Sequence, residues 1–162
     1  MKALVLYATK HGAALEAARK IAAQFSGAKL VDLNDIKTIS KLNLATYDCI
    51  ILGSSVYAGQ TRPALKHFST NNQDELMDAD KRLGIFLVGM DADKEDVAFG
   101  INFEDSLLEA AKAKAFVGGI YDPKKANFAE RLIMKALKFT EYTNTIDDEK
   151  IAEFVQALKM GD

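Results

Sequence analysis

Apolar positions along this chain fall into short runs separated by stretches with helical spacing. Lys2 to Ala8 is dominated by Leu, Val and Tyr and is followed at once by Thr9-Lys10-His11-Gly12. From Ala13 to Phe25 the period changes. Leu15, Ala18, Ile21, Ala22 and Phe25 recur on one helical face, with Glu16, Arg19, Lys20 and Gln24 on the other. Ser26-Gly27 ends that helix, Ala28 to Leu33 reads as a brief second strand, and Asp35 to Leu44 as a connector with a short helix. Asp48 to Gly53 is nearly continuous in apolar residues, as a strand covered on both faces requires.

That third strand leads into Ser54-Ser55-Val56-Tyr57-Ala58-Gly59-Gln60, and Thr61-Arg62-Pro63 opens a helix with Pro in its first turn. Leu65, Phe68 and His67 are its candidate inner residues, and Asn71 to Lys81 is the polar return. Arg82 to Met90 forms the fourth apolar run, followed by an acidic loop from Asp91 to Asp96. Asp105 to Ala113 reads as a helix and Lys114 to Tyr121 as the fifth strand. Strands alternating with helices predict an α/β fold, a parallel sheet covered on both sides. A last helix is expected over 147–160. Between them, 123–146 is an added segment in which Phe128, Leu132, Ile133, Leu137 and Phe139 suggest a further helix, with Arg131, Lys135 and Lys138 sharing another face. Such a helix either packs on the core or meets a membrane surface or partner.

The 162 residues suit one domain, expected to span 1–162, and are too few for two typical ones. Hydrophobic residues at 49% and charged residues at 27% argue against disorder, and a net charge of −2 gives no support to nucleic-acid binding. Cys49 is the only cysteine, so no intramolecular disulfide forms; with His11 and His67 the only histidines, no metal site is expected. The first residues lack the layout of a signal peptide, and no run approaches the roughly 18 apolar residues of a spanning helix. The expected location is cytoplasmic.

In an open α/β sheet a ligand sits beyond the carboxyl ends of the strands, where strand order reverses. The loops there are Ala8 to Ala14, Ser54 to Gln60 and Gly89 to Asp96. They contain no nucleophile elbow, no lysine-bearing phosphate loop and no GxGxxG motif; no catalytic side chain is assigned. A strand turning tightly into a helix does leave backbone N–H groups unpaired, a natural seat for phosphate. Amides, small hydroxyls, glycines and one aromatic suit a cofactor that brings its own chemistry.

YATKHG after the first strand, GSSVYAGQTRPALKHF after the third and GGIYDPKKANFAERLIMKALK near the end resemble the flavodoxin superfamily over essentially the whole chain. Within it the sequence is most similar to the flavodoxin-domain branch that includes menaquinone-dependent protoporphyrinogen oxidase. The resemblance implies a doubly wound five-stranded sheet in the order 2-1-3-4-5, FMN as cofactor, and electron transfer through the flavin. It implies that Thr9, Lys10, His11, Gly12, Ala13 and Ala14 wrap the phosphate. Ser54, Ser55, Val56, Tyr57, Ala58 and Gly59 would form the second loop against the ring, and Gly89, Met90 and Asp91 the third. The partner would be a redox protein or a quinone, with peripheral membrane contact through 123–146.

Family members usually carry Ser or Thr where this chain has Ala13 and Ala14. Each missing hydroxyl removes a hydrogen bond to a charged group, worth about 1.5–3 kcal/mol. Charge on Lys10, His11 or Arg62 is the available compensation. Tyr57 either stacks on a ring or is an ordinary loop tyrosine, His11 either donates to phosphate or is solvated, and Tyr7, His67 and Cys49 read as structural. The acids at 91–96 would lower a flavin potential, steer a basic partner, or simply be solvated. Three functions follow: an electron carrier, an oxidase acting on a porphyrin precursor, or a cofactor-free interaction domain. A phosphoryl-accepting receiver domain fits poorly, because Tyr7-Ala8-Thr9 and Gly53-Ser54-Ser55 offer no acid at the strand ends.

Overall fold

The apolar run at the head of the chain forms strand β1 (Ala3–Ala8), every residue of which is buried. Alternate side chains serve two cores: Leu4, Leu6 and Ala8 face one, Ala3, Val5 and Tyr7 the other. The computed structural model describes residues 1–160. In chain order the elements after β1 are α1 (Ala13–Ala22), β2 (Lys29–Asp32), α2 (Ile36–Ile39), β3 (Cys49–Tyr57), β4 (Gln60–Thr61) and α3 (Pro63–Asn71). They continue with α4 (Gln73–Leu76), β5 (Arg82–Val88), α5 (Glu95–Asn102), α6 (Asp105–Ala110), β6 (Ala111–Phe116) and β7 (Ile120–Tyr121). The last three are α7 (Phe128–Ala136), β8 (Thr143–Asn144) and α8 (Asp148–Lys159).

The main sheet runs β2-β1-β3-β5-β6 with every neighbouring pair parallel. With β4 set aside as a short antiparallel partner of β3, this is the expected 2-1-3-4-5 order. One face carries α1 and α8, and the other packs against residues of α3, α5 and α6. Helix α1 reaches the sheet through Ala13, Ala14, Ala17, Ala18 and Ile21, all buried, whereas Leu15 is only partly covered. Helix α8 adds Ile151, Phe154, Val155 and Leu158 to the same core. Gly84 admits it: a Cβ there would lie 2.8 Å from Leu158 Cδ1 and 2.9 Å from Phe154 Cζ. The Arg82 guanidinium donates to the carbonyls of Leu158 and Lys159 at 2.8 and 2.9 Å, supplying partners at the end of α8.

The structure moves several expected boundaries. Strand β3 continues through Ser54–Tyr57, which the sequence reading places in a loop, and returns through a two-residue turn at Ala58 (φ 49°) and Gly59 (φ 77°). The expected acidic loop contains a 3-10 turn at Ala92–Lys94 and then α5, whose first turn holds Glu95 and Asp96, where the helix dipole favours acids. The fifth strand spans Ala111–Phe116 rather than 114–121. Ile120–Tyr121 leaves the main sheet to pair antiparallel with Thr143–Asn144, at the end of the added segment. His67 is exposed and not on the inner face of α3. Cys49 is fully buried, and burial pushes its thiol up to about 12, so it behaves as a small hydrophobe. Among the described residues no helix is long and apolar enough to cross a membrane.

Candidate functional site

Parallel pairing sets the three candidate loops side by side. Ala8 lies opposite Ser54, and Ser55 opposite Val88, so the ends of β1, β3 and β5 share one edge of the sheet. The order reverses between β1 and β3, which places this edge at the switch point of the fold.

The first loop is built by its own hydroxyl. Thr9 Oγ1 accepts the Gly12 N–H at 2.9 Å, closing the turn. Gly12 then caps α1 in a left-handed conformation (φ 97°) with no side chain bonded to the helix start. The first amides of α1 therefore receive no side-chain cap, and the helix dipole concentrates positive potential there. Ala14 is fully buried and Ala13 nearly so; neither offers a hydroxyl to this end.

On β3, the buried Ser54 hydroxyl is consumed within the chain. It accepts the Arg62 N–H and donates to the Ser55 carbonyl, both at 2.9 Å. Ser55 Oγ is different: it is shielded from solvent and has no hydrogen-bond partner among the described residues. An orphaned hydroxyl costs about 1–3 kcal/mol unless something outside the chain satisfies it. Tyr57 is half-buried, and Lys10 Nζ lies 5.5 Å from its ring centroid, which joins the first loop to the second. Burial pushes the Tyr57 phenol up, with the Glu130 carboxylate adding to this and Lys10 opposing it.

The third loop is held mainly from behind. Gly89 N–H donates to the Gly118 carbonyl at 3.0 Å, and Gly119 abuts Gly89 so closely that a Cβ on it would lie 2.6 Å from the Gly89 carbonyl. Asp91 pairs with Lys94 at 3.2 Å, and the Glu95 carboxylate accepts the Phe116 N–H at 3.1 Å. Two of the acids are thus engaged within the chain.

The residue that sequence reasoning missed is Glu130. It is 3% exposed, and its carboxylate ion-pairs with Lys10 and accepts from His11 Nε2 at 2.8 Å. Asn127 anchors it through a reciprocal helix cap: Glu130 N–H donates to Asn127 Oδ1 at 2.8 Å, while Asn127 N–H and Nδ2 donate back at 3.3 and 3.2 Å. Lys125 Nζ adds a contact to the His11 carbonyl at 3.4 Å. The Asn127-x-x-Glu130 spacing announces a helix start; nothing local announces a partner 120 residues away. The charge expected to compensate for Ala13 and Ala14 is therefore already engaged at Lys10 and His11.

Burial alone would raise the Glu130 pKa, but the interactions with Lys10, His11 and the Asn127 backbone together outweigh it and hold the carboxyl below its ordinary range. A depressed folded-state pKa stabilises the fold above the unfolded value, about 4.3 for Glu, and that contribution vanishes as pH falls through the folded value. Urea unfolding from about pH 7 to about pH 3 should show Glu130→Gln less stable at neutral pH, with the gap closing at the acid end.

The other helix face also departs from expectation. In α7 the buried residues are Glu130 and Met134, while Phe128 is 72% and Leu132 54% exposed. The helix rests on the body through a carboxylate and a thioether and turns larger apolar groups outward, beside exposed Arg131 and Lys135. Two clefts of about 260 and 310 Å³ lie elsewhere, beside α2 and α3 and beside α3 and α5, and none of the candidate loop residues lines them.

Fold and strand-end loops together define a doubly wound, flavodoxin-like α/β protein. The sequence pattern of the flavodoxin domain matches residues 4–147, and the chain belongs to that family. A short-chain flavodoxin associated with a non-canonical PDU bacterial microcompartment is similar in structure, with TM-score 0.57, 17% identity, and coverage of 98% of this chain and 97% of that one. A flavoprotein from Lactobacillus acidophilus, solved in complex with FMN, gives TM-score 0.50 and 17% identity over 73% of this chain and 91% of that one. Rubredoxin oxygen:oxidoreductase from Desulfovibrio gigas gives 0.52 and 13% over 99% of this chain, which spans only 37% of that larger protein. At these identities the likeness shows the fold. No curated protein matches the chain by sequence.

Proposed function

We propose that this protein binds FMN and works as a flavodoxin-like redox protein. The observation that carries the reading is the amino end of α1, free of any side-chain cap and set where the strand order reverses. The amides of the Thr9–Ala14 turn other than that of Gly12, which Thr9 Oγ1 already accepts, would hold the phosphate, with Lys10 and His11 beside them. Ser54–Gly59 and Gly89–Asp91 would enclose the ring, and the unpartnered Ser55 hydroxyl suits a polar atom of the ligand. Bound there, FMN supplies one- and two-electron transfer. The chain's own residues bind and orient; no protein nucleophile or general base is assigned. Adding FMN should quench flavin fluorescence, and no binding at about tens of micromolar, a threshold near −6 kcal/mol, would leave a cofactor-free interaction domain.

A second reading is favoured by the outward apolar face of α7. An oxidase-type enzyme that takes a porphyrin precursor and passes electrons to a quinone needs a surface for greasy molecules. Phe128 and Leu132 beside Arg131 and Lys135 suit such a substrate or an anionic membrane. Protoporphyrinogen oxidation with a menaquinone analogue separates the readings: FMN binding without turnover leaves an electron carrier serving a redox partner protein.

A further inference from the structure

We propose that Glu130 sets how strongly this site prefers a phosphate-bearing flavin over the same ring without phosphate, by engaging Lys10 and His11, the two basic side chains of the first loop. The inference rests on the phosphate seat proposed above and concerns its selectivity.

Lys10 and His11 immediately precede Gly12, the cap of α1, and are basic side chains adjoining that helix end. Both are committed to one carboxylate. A helix cap alone does not require this, since the reciprocal bonds between Asn127 and Glu130 are complete without Lys10 or His11. Those bonds also keep the carboxylate from swinging away as a surface glutamate would: each oxygen accepts from Asn127 as well as from the first loop. An arriving phosphate meets a Lys10 ammonium whose field is largely cancelled, a His11 ring already bonded to the carboxylate, and a fixed negative charge close behind them. Ala13 and Ala14 add no hydroxyl to offset that repulsion. Riboflavin has no charge at this position, so the carboxylate leaves its binding untouched.

Titrating the full chain with FMN and with riboflavin, in wild type and Glu130→Gln, tests this through dissociation constants. Glutamine still reciprocates the Asn127 cap, so α7 keeps its start. The wild type should favour FMN by less than about tenfold, and Glu130→Gln should raise that preference by about tenfold or more, with riboflavin affinity changed by less than about threefold. Should Glu130→Gln fold poorly, the wild-type ratio decides alone: a preference for FMN of about tenfold or more overturns the proposal. An unchanged ratio, or a smaller one because the carboxylate in fact positions Lys10 and His11 for phosphate, overturns the proposal and leaves the flavin site standing. Neither flavin binding to either protein removes the site and the proposal together.

Discussion

Replacing Gly118 with alanine should lower the unfolding free energy by about 3–5 kcal/mol, combining left-handed strain with steric overlap. Gly118 has φ +84°, and a Cβ there would lie 1.9 Å from the Thr145 carbonyl oxygen and 2.6 Å from its carbon. Both contacts are backbone, so no rotamer change relieves them; the 143–147 segment has to move. That segment is fastened along its length. Thr145 N–H donates to the Gly119 carbonyl at 2.7 Å, Asp147 N–H to Val117 at 2.9 Å, and Ile120–Tyr121 pairs with Thr143–Asn144. Displacement also reaches the third loop, because the Gly118 carbonyl accepts the Gly89 N–H. Thermal unfolding should drop by roughly 10 °C or more. Gly12→Ala is the control: φ is +97° but nothing lies within 4 Å of the added Cβ, so only the strain of about 1–2 kcal/mol remains.

Phe86→Ala should cost a similar amount, about 3–5 kcal/mol, through lost burial and the cavity left behind. Phe86 is fully buried, meets Phe154 edge-on with centroids 6.4 Å apart, and fills the space above Gly53. A Cβ on Gly53 would lie 1.9 Å from Phe86 Cζ, so these neighbouring strands hold a complementary pair, one residue without a side chain and one with a large one. Gly53→Ala alone should also destabilise. The double variant with Phe86→Leu should recover part of the loss, because the smaller side chain makes room for the methyl group. Chemical denaturation of the two single variants and the double one measures this coupling. Additive losses would mean that the pair is not packed as described.

The central strands were legible because each is buried on both faces and leaves a continuous apolar run: all six residues of β1 are buried, and β5 is buried from Leu83 to Val88. Where covering is one-sided the signal weakened. In AKAKAF of β6 the buried Ala113 and half-buried Ala111 and Ala115 alternate with exposed Lys112 and Lys114 before buried Phe116, and its first residues passed for helix. Helix α5 hid behind its own acidic first turn, which reads equally as a solvated loop. The turn at Ala58-Gly59 gave little warning, since alanine rarely adopts the positive φ that such a hairpin demands. In the candidate site, the hydroxyl turn at Thr9 and the glycine at position 12 could be read from local rules. The carboxylate from α7 could not, because its contact with the first loop depends on how a long segment folds back across the sheet.

Helix α8 has a consequence for how the protein is made. It supplies Ile151, Phe154, Val155 and Leu158 to the core that α1 also covers, and follows all five main strands in the chain. During synthesis, the sheet side beneath α1 therefore stays partly bare until this late helix clears the ribosome, a nascent state prone to sticking to chaperones or to other unfinished chains.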